Sequence, residues 1–369
     1  MTGLYIHIPF CRQKCRYCDF VSFAGAQRYI DDYLSALDRE AVSYSSQKFD
    51  TLYIGGGTPS MLSAAQLDRL CRMIVRRFAP ISAFRESTLE ANPESLHPDK
   101  LRVLKEAGFS RLSIGLQSFD DAVLKRMGRI HDVRTFLKAY EQARQAGFDN
   151  INVDLIAGLP EQTEAMFLKG LERLALLKPE HISVYGLQVE EGTPFYQEGM
   201  RSDEDLLRSE LEKTHFSLQE AGYVHYEISN FALPSRESLH NINYWQNGEY
   251  TGLGPSAASY RDGMRSTHTA DLERYLRLVR EEKPLTDFSE RLTGKAKEGE
   301  SLMLGLRMLN GVRVSALQRR MFDAEINDLV RRKLVERNGD LIKLTFEGIF
   351  LANQAFMAFV GPFDDDKCS

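Results

Sequence analysis

Three cysteines lie within eight residues near the start of the chain, at Cys11, Cys15 and Cys18. They follow a short apolar run, which predicts a loop directly after a strand. Thiolates this close repel one another unless a metal neutralises them, and the spacing suits an iron-sulfur cluster with one iron left open to an exchangeable ligand. A zinc site completed by His7 or Asp19 is the alternative. It is disfavoured because His7, inside a strand, is expected to point away from the loop.

Composition and charge exclude several classes of protein. The 369 residues include 47 basic and 52 acidic side chains, a net charge of -5, so there is no basic excess to bind nucleic acid. No basic N-terminal segment precedes an apolar run, and no apolar stretch reaches the ~18 residues of a membrane span. Five cysteines, three of them clustered, suit a reducing compartment better than a disulfide framework. We therefore expect a cytoplasmic protein that is not an integral membrane protein.

The elements that must position the cysteines form an alternating pattern. Up to about residue 230, short apolar runs alternate with helical periodicity, which predicts an α/β fold with a parallel sheet covered by helices. The predicted strands cover residues 4–9, 51–55, 87–91, 111–117, 151–156 and 181–187. Six such strands indicate a partial (β/α)6 barrel, to which residues 223–231 add a closing or edge strand.

Polar residues and glycines gather where these predicted strands end. Ligands of parallel α/β folds bind at the carboxyl ends of the strands, so these positions predict one shared site. The glycines allow close backbone approach to a charged ligand, although alone they would more simply form an ordinary turn. The residues concerned are Gly56, Gly57 and Thr58, then Glu90, Gln117, Arg129 and Asp154.

A polar break at residues 233–238 divides the chain into a first domain, 1–232, and a second, 233–369. The second is predicted to be a smaller α+β, winged-helix-like domain. Its basic residues more simply form solvated helix faces than a DNA surface. Its predicted elements are helices over residues 270–281, 288–309, 314–320 and 325–333, a hairpin turning at Asn338-Gly339, and a closing helix from Thr345.

The second domain opens with a histidine and aromatic residues. His240 is followed by Tyr244 and by Trp245, the only tryptophan, and then by a small-residue loop at 252–259. Such a segment could cradle a flat macrocycle, with imidazole as axial ligand to iron. It could equally be a core aromatic cluster around a hydrogen-bonded histidine, which the residues alone favour.

The CxxxCxxC pattern after a first strand resembles the radical S-adenosylmethionine (SAM) superfamily, in which SAM chelates the fourth iron of a [4Fe-4S] cluster. Residues 5–11 and the segment from Asp154 to Pro160 are similar to the oxygen-independent coproporphyrinogen dehydrogenase group. This resemblance implies a radical SAM barrel with Cys11, Cys15 and Cys18 as cluster ligands. It also implies SAM-site residues, namely Tyr5, Tyr17, Gly56, Gly57, Thr58, Glu90, Gln117, Arg129, Asp154, Gly186 and Ala258.

Within that group, HNxxYW resembles the signature of the heme-chaperone branch. The dehydrogenase branch has a cysteine two positions after the third ligand, where this chain has Phe20, and a longer extension than the ten residues before Cys11. The resemblance implies heme binding through His240 and transfer to acceptor hemoproteins such as respiratory-chain components. It implies retained radical SAM machinery without coproporphyrinogen dehydrogenase activity. Decarboxylation of coproporphyrinogen III, or another tetrapyrrole reaction, is the alternative, and a nucleic-acid binder using the C-terminal wing is a second.

Overall fold

The structure is a computed structural model that describes residues 1–361. Short 3-10 turns connect several of its elements. The helices and strands are, in chain order, β1 (Thr2–Ile8), β2 (Phe10–Cys11), β3 (Phe23–Ala24), α1 (Ile30–Val42), β4 (Thr51–Gly56), α2 (Ala64–Arg77), β5 (Glu86–Ala91), α3 (Pro98–Ala107), β6 (Arg111–Gln117), α4 (Asp121–Arg126), α5 (Val133–Gln145), β7 (Ile151–Ala157), α6 (Glu164–Leu177), β8 (His181–Gly186), α7 (Pro194–Gln197), α8 (Glu204–Glu220), β9 (Val224–Glu227), β10 (Asn230–Ala232), α9 (Leu239–Trp245), β11 (Glu249–Leu253), β12 (Ala258–Arg261), β13 (Met264–His268), α10 (Leu272–Arg280), β14 (Thr286–Arg291), α11 (Gly294–Gly305), β15 (Val312–Arg313), α12 (Ala316–Arg331), β16 (Val335–Asn338), β17 (Leu341–Leu344), α13 (Phe346–Phe350) and α14 (Ala352–Met357).

Six parallel strands, β1 and β4 to β8, pair in chain order at the centre of the main sheet. They are the six strands predicted from the sequence, and the partial (β/α)6 barrel is confirmed. The strands form because their residues bury both faces: six of the seven residues of β6 are buried, as expected under covering helices. One of those helices, α2, begins at a capping box in which Ser63 and Gln66 bond each other's backbone N–H.

The sheet continues at both edges. Strand β11 pairs in parallel with the free side of β1, with Gly252 opposite Tyr5, and β12 to β14 follow in antiparallel order. At the other edge, β10 and β9 pair antiparallel beyond β8. The strand expected over residues 223–231 is therefore a two-stranded edge, and a seventh parallel strand comes from beyond residue 232.

The described residues form two main hydrophobic cores, one large and one smaller, and two small clusters besides. The larger core runs from Leu4 to Val279, and Leu253 and Tyr275 belong to it. The smaller core runs from Leu302 to Phe359. The predicted boundary after residue 232 stays a prediction, but the main sheet and its core continue to about β14. Residues 362–369 of the predicted second domain lie outside the described residues.

Two helix predictions in the C-terminal part are wrong. The helix predicted over residues 288–309 begins only at Gly294, because β14 precedes it with all of its residues exposed and thus lacks the period-2 apolar pattern of a half-buried strand. The helices predicted over residues 314–320 and 325–333 are the single helix α12, which starts at the capping box of Ser315 and Gln318. The hairpin is confirmed, with Gly339 at φ +60°. No helix within residues 1–361 is long and apolar enough to cross a membrane.

Candidate functional site

The cysteine loop leaves the sheet directly after β1. Its base is closed by β2 and β3, which place Cys11 opposite Ala24, and all three cysteines are free thiols. Burial raises the pKa of Cys18 to about 11, and the neighbouring Cys15 and Cys11 add to the rise. The three sulfurs therefore lie close enough to act on one another electrostatically, as ligands of one metal group must.

His7 points toward this loop, contrary to the expectation from the sequence. Its Nε2 lies 2.8 Å from Val21 O and its Nδ1 lies 3.0 Å from the Tyr5 hydroxyl, so both nitrogens are engaged. Asp19 is exposed. Within residues 1–361 no three His, Cys, Asp or Glu side chains converge as they would on a single zinc ion. A cluster, whose three ligands bind separate irons, stays the prediction for this loop.

A chain of hydrogen bonds joins two of the cysteines. Arg129 lies 3.5 Å from Cys15 Sγ and donates to Asn92 Oδ1 at 2.7 Å. The amide of Asn92 in turn donates to Thr58 Oγ1 at 3.2 Å, and that hydroxyl lies 3.4 Å from Cys11 Sγ. The ends of β4, β5 and β6 are thus tied to the cysteine loop, because the three connecting residues follow those strands.

The glycine turn after β4 packs directly under the cysteine loop. Gly57 N–H donates to Ile8 O at 2.9 Å and Thr58 N–H to Phe10 O at 2.8 Å. A Cβ atom at Gly57 would lie 2.6 Å from Phe10 O, closer than real side chains approach a carbonyl. Gly56 has φ +110°, which only glycine adopts without strain. The turn therefore holds its backbone against the loop in a way that no larger residue allows.

A cavity of about 650 Å³ opens beside the cysteine loop. Four of the residues predicted to bind SAM lie in its wall: Tyr5, Gly56, Glu90 and Ala258. No SAM-binding role was predicted for the rest of the wall, which comes from β1, the cysteine loop, the end of α9, β11 and the loop after it, β13, and helix α11. It consists of His7, Phe20, Val21, Tyr244, Trp245, Tyr250, Ser256, Arg265, Glu300 and Leu304.

The acidic residues of the barrel interior are held by hydrogen bonds. Glu90 accepts from the Tyr53 hydroxyl at 2.8 Å and from Gly56 N–H at 3.1 Å. Burial raises its pKa to about 7, with Asp154 adding to the rise. Burial also raises the pKa of Asp154, which accepts from the Asn152 amide at 2.7 Å. These groups can receive hydrogen bonds from a polar or cationic ligand that enters the barrel.

The remaining predicted SAM residues occupy varied positions. Tyr17 lies in the cysteine loop, where burial and the charge of Cys15 raise its pKa. Gln117 ends β6 with φ +73°, and its amide lies beside Gly115. At Gly186, a Cβ atom would meet Leu207 of α8 at 3.1 Å, so that position faces the covering helix. None of these three residues lies in the wall of the cavity.

His240 lies behind the cavity wall. Its side chain is almost fully buried, its Nδ1 is 2.8 Å from Thr51 Oγ1, and its Nε2 is 2.8 Å from the Tyr244 hydroxyl. The ring stacks on Tyr53 with centroids 5.1 Å apart, and burial lowers the pKa of His240 to about 3. His240 is thus a neutral imidazole with both nitrogens engaged, the core arrangement that the residues alone favoured.

Sequence reasoning missed the residues that join parts of the site. Asn92 follows the predicted Glu90 by two positions at the same strand end, so its place was visible. Tyr244 and Trp245 lay in a noted motif, as aromatic residues that could cradle a macrocycle, but only the histidine was predicted as a ligand. Arg265 and Glu300, which form an ion pair at 2.6 Å in the cavity wall, carry no local signal because they meet only through tertiary structure.

Comparisons with known proteins agree along the whole chain. Residues 5–174 match the Radical SAM superfamily. A Bacillus subtilis protein named heme chaperone HemW is 38% identical over 98% of this chain and 100% of its own length. The chain belongs to the HemW family. Another member of this HemW family, from Lactococcus lactis, is 37% identical over 97% of this chain and 97% of its own length.

The HemW-family fold also matches a solved enzyme. Coproporphyrinogen III oxidase (HemN) from Escherichia coli, described as a radical SAM enzyme, superposes with a TM-score of 0.86 and 25% identity, over 98% of this chain and 90% of its own. The shared fold therefore extends through the C-terminal part. The residues of this HemW-family chain fit a SAM-ligated cluster, because the loop holds three free thiols, Arg129 lies beside Cys15, and carboxylate and glycine residues line the cavity next to the loop.

Proposed function

We propose that this protein is a cytoplasmic heme chaperone that binds heme, passes it to acceptor hemoproteins, and carries a [4Fe-4S] cluster to which SAM binds. The likeness over 98% of the chain to a protein named heme chaperone HemW carries the proposal. The cavity supports it, because Tyr244, Trp245 and Tyr250 give an aromatic wall and about 650 Å³ of space, within the usual range for such ligands. The free thiols suit a reducing cytoplasm.

In this proposal Cys11, Cys15 and Cys18 ligate three irons of the cluster. Arg129, 3.5 Å from Cys15, offsets part of the negative charge that the thiolates bring. The iron without a protein ligand would be open to SAM, and the reduced cluster would supply an electron to the SAM sulfonium. The protein's own part is to hold the ligands and to exclude water and oxygen.

The residues proposed for SAM divide by position. Gly56, Gly57 and Thr58 present backbone and hydroxyl groups to the amino-acid end of SAM, next to the cysteine loop. Tyr5, Glu90 and Ala258 line the cavity on that side. Tyr17, Gln117, Arg129, Asp154 and Gly186 complete the set proposed around the cluster and the rest of SAM. His240 is proposed to take part in heme binding from behind the cavity wall, through its hydrogen bond to the wall residue Tyr244.

A tetrapyrrole-modifying enzyme is the second candidate, favoured by the TM-score of 0.86 with a coproporphyrinogen III oxidase. Phe20 separates the two functions. Phe20 is 63% exposed and lies in the cavity wall, two positions after Cys18. At this position the resemblance to the dehydrogenase branch would imply a fourth cysteine. An apolar ring there offers contact area to a macrocycle but no thiol for chemistry.

Anaerobic titration of the cluster-reconstituted protein with heme tests the proposal. The same samples are assayed for heme transfer to an apo-hemoprotein, and for decarboxylation of coproporphyrinogen III with SAM and a reductant. The expected result is stoichiometric heme uptake and transfer without decarboxylation. Decarboxylation without specific heme uptake would make the protein an enzyme and overturn the chaperone.

A further inference from the structure

The part of the cavity proposed to hold heme is lined by Tyr244, whose hydroxyl is hydrogen-bonded to the buried His240. His240 and Tyr244 are four residues apart on α9, so their side chains lie on one face of the helix, and their rings pack edge to face at 4.9 Å. Tyr244 reaches the cavity wall, but His240 does not. The phenol therefore stands between the imidazole and any ligand in the cavity.

The imidazole has no nitrogen available to iron. Nε2 faces the Tyr244 hydroxyl and Nδ1 faces Thr51, each at 2.8 Å. The start of β1 closes a further side of the ring, since a Cβ atom at Gly3 would lie 2.9 Å from His240 Cε1. Iron could reach Nε2 only where the Tyr244 oxygen now lies.

The phenol oxygen of Tyr244 suits ferric iron. Phenolate is an established axial ligand of heme iron in proteins, and partners that hydrogen-bond a ligand orient it and strengthen it. The neutral His240 ring with its hydrogen on Nε2 donates to the Tyr244 oxygen, while its Nδ1 accepts from the Thr51 hydroxyl. Tyr244 shares the cavity wall with Trp245, Tyr250 and Leu304, which offer aromatic and apolar contact to a bound macrocycle.

We propose that Tyr244 is the axial ligand of ferric heme and that His240 is the positioning residue that holds it. This inference rests on the proposed heme binding. As the iron–oxygen bond forms, the O–H bond of Tyr244 breaks and its proton is released to water in the cavity, while the neutral His240 keeps its Nε2–H as a donor to the phenolate oxygen. No electron moves, and the iron stays ferric.

Ferric heme titrated into the full-length, cluster-reconstituted protein tests this assignment by absorption, resonance Raman and EPR spectroscopy. The wild type is expected to show a phenolate-to-iron charge-transfer band and a high-spin signal. Tyr244→Phe is expected to lose both. Tyr196→Phe, the same change at an exposed tyrosine outside the cavity wall, is expected to keep them. His240→Ala is expected to keep the phenolate band but bind heme about 10- to 100-fold more weakly, the usual cost of losing such a partner.

Two results would contradict the assignment in different ways. An imidazole-type spectrum that survives Tyr244→Phe and disappears in His240→Ala would make His240 the ligand and overturn the inference while leaving the chaperone intact. Absence of stoichiometric heme uptake by the wild type would overturn the proposed function itself. Loss of both signals in Tyr244→Phe could also follow from misfolding, so Tyr244→His is measured beside it. If residue 244 supplies the iron ligand, the spectrum of Tyr244→His should change from a phenolate type to an imidazole type.

Discussion

At the scale of single residues, the cysteine loop depends on a few polar contacts beyond its sulfurs. Asn92 is the central one, because it accepts from Arg129 and donates to Thr58, and these two neighbours contact Cys15 and Cys11. A positive charge fixed beside a cluster favours its reduced form. The position of Asn92 therefore affects how firmly the cluster is held and how easily it accepts an electron.

Replacing Asn92 by Leu is expected to release both neighbours. With Arg129 no longer held against Cys15, the cluster should lose iron to a chelator faster, and its midpoint potential should become more negative. Iron content over time and an EPR-monitored redox titration measure these effects. Asn92→Asp keeps an acceptor for Arg129 but loses the donor to Thr58, so an intermediate result is expected. A potential and an iron-loss rate unchanged in Asn92→Leu would contradict this account.

The ligand set itself makes a simpler prediction. Cys15→Ser is expected to lose the broad iron-sulfur absorbance and most of the iron, because a serine hydroxyl is a poor replacement for a thiolate ligand. Cys71 is a matched control: it is a buried thiol in α2, outside the loop, so Cys71→Ser should keep a full cluster. A full cluster in Cys15→Ser would show that the ligand set is wrong.

At the scale of elements, the N-terminus of helix α9 is anchored by a side chain from strand β5. Glu86 at the start of β5 is almost fully buried. It accepts from the backbone N–H groups of Leu239 and His240, each at 3.0 Å, and from the Ser238 hydroxyl. A carboxylate is favourable there because the first N–H groups of a helix lack partners within it. Glu86 thus fixes the helix that carries His240 and Tyr244.

Replacing Glu86 by Gln is expected to lower the free energy of unfolding by about 1–3 kcal/mol, because a charged acceptor becomes an amide whose NH2 group opposes buried donors. Thermal and denaturant unfolding measure the loss. Ser238→Ala, which removes the side-chain cap of the same helix and one donor to Glu86 but keeps the carboxylate, should cost about 1 kcal/mol. If Glu86→Gln were as stable as wild type, the carboxylate would not be what anchors α9.

The elements also show what sequence could and could not predict. The six barrel strands were predictable because short apolar runs alternate there with helical periodicity, and the cysteine loop because its spacing is local. Strand β11 was not, since its place beside β1 depends on a pairing between residues about 245 positions apart, as Thr2 and Glu249 show. Arg265 and Glu300 of the cavity wall were not predicted either, because they too meet only through tertiary structure. For His240 the residues favoured the core interpretation, and its buried hydrogen bonds agree with that choice.

At the scale of the whole molecule, Glu40 joins segments distant in the sequence. From α1 it accepts from Gly254 N–H at 3.0 Å and from the Tyr275 hydroxyl at 2.5 Å, and it lies 3.3 Å from His268 Nδ1. The segment after residue 232 is thereby fastened to the first helix of the barrel. Burial raises the pKa of Glu40 from its usual 4.5 to about 7, so this junction is sensitive to pH.

The sign of this sensitivity follows from proton binding. Between pH 4.5 and about 7 the folded protein keeps a proton on Glu40 that the unfolded chain releases, so stability falls as pH rises through that window. The full loss is about 3 kcal/mol at 1.36 kcal/mol per pKa unit. Buried histidines act in the opposite direction: burial lowers the pKa values of His225 and His240 to about 4 and about 3, which weakens the fold in acid.

Comparing wild type with Glu40→Gln isolates the carboxyl, because both proteins share the histidine contributions. Glutamine stays neutral and can still accept from Gly254 and Tyr275. The free energy of unfolding of wild type minus that of the variant should therefore decrease from pH 5 to pH 8 and then level off. Glu106→Gln, at a side chain 64% exposed, should give a flat difference. A flat difference for Glu40→Gln as well would mean that Glu40 ionises in the fold as it does in water, and that burial at this junction does not hold its proton.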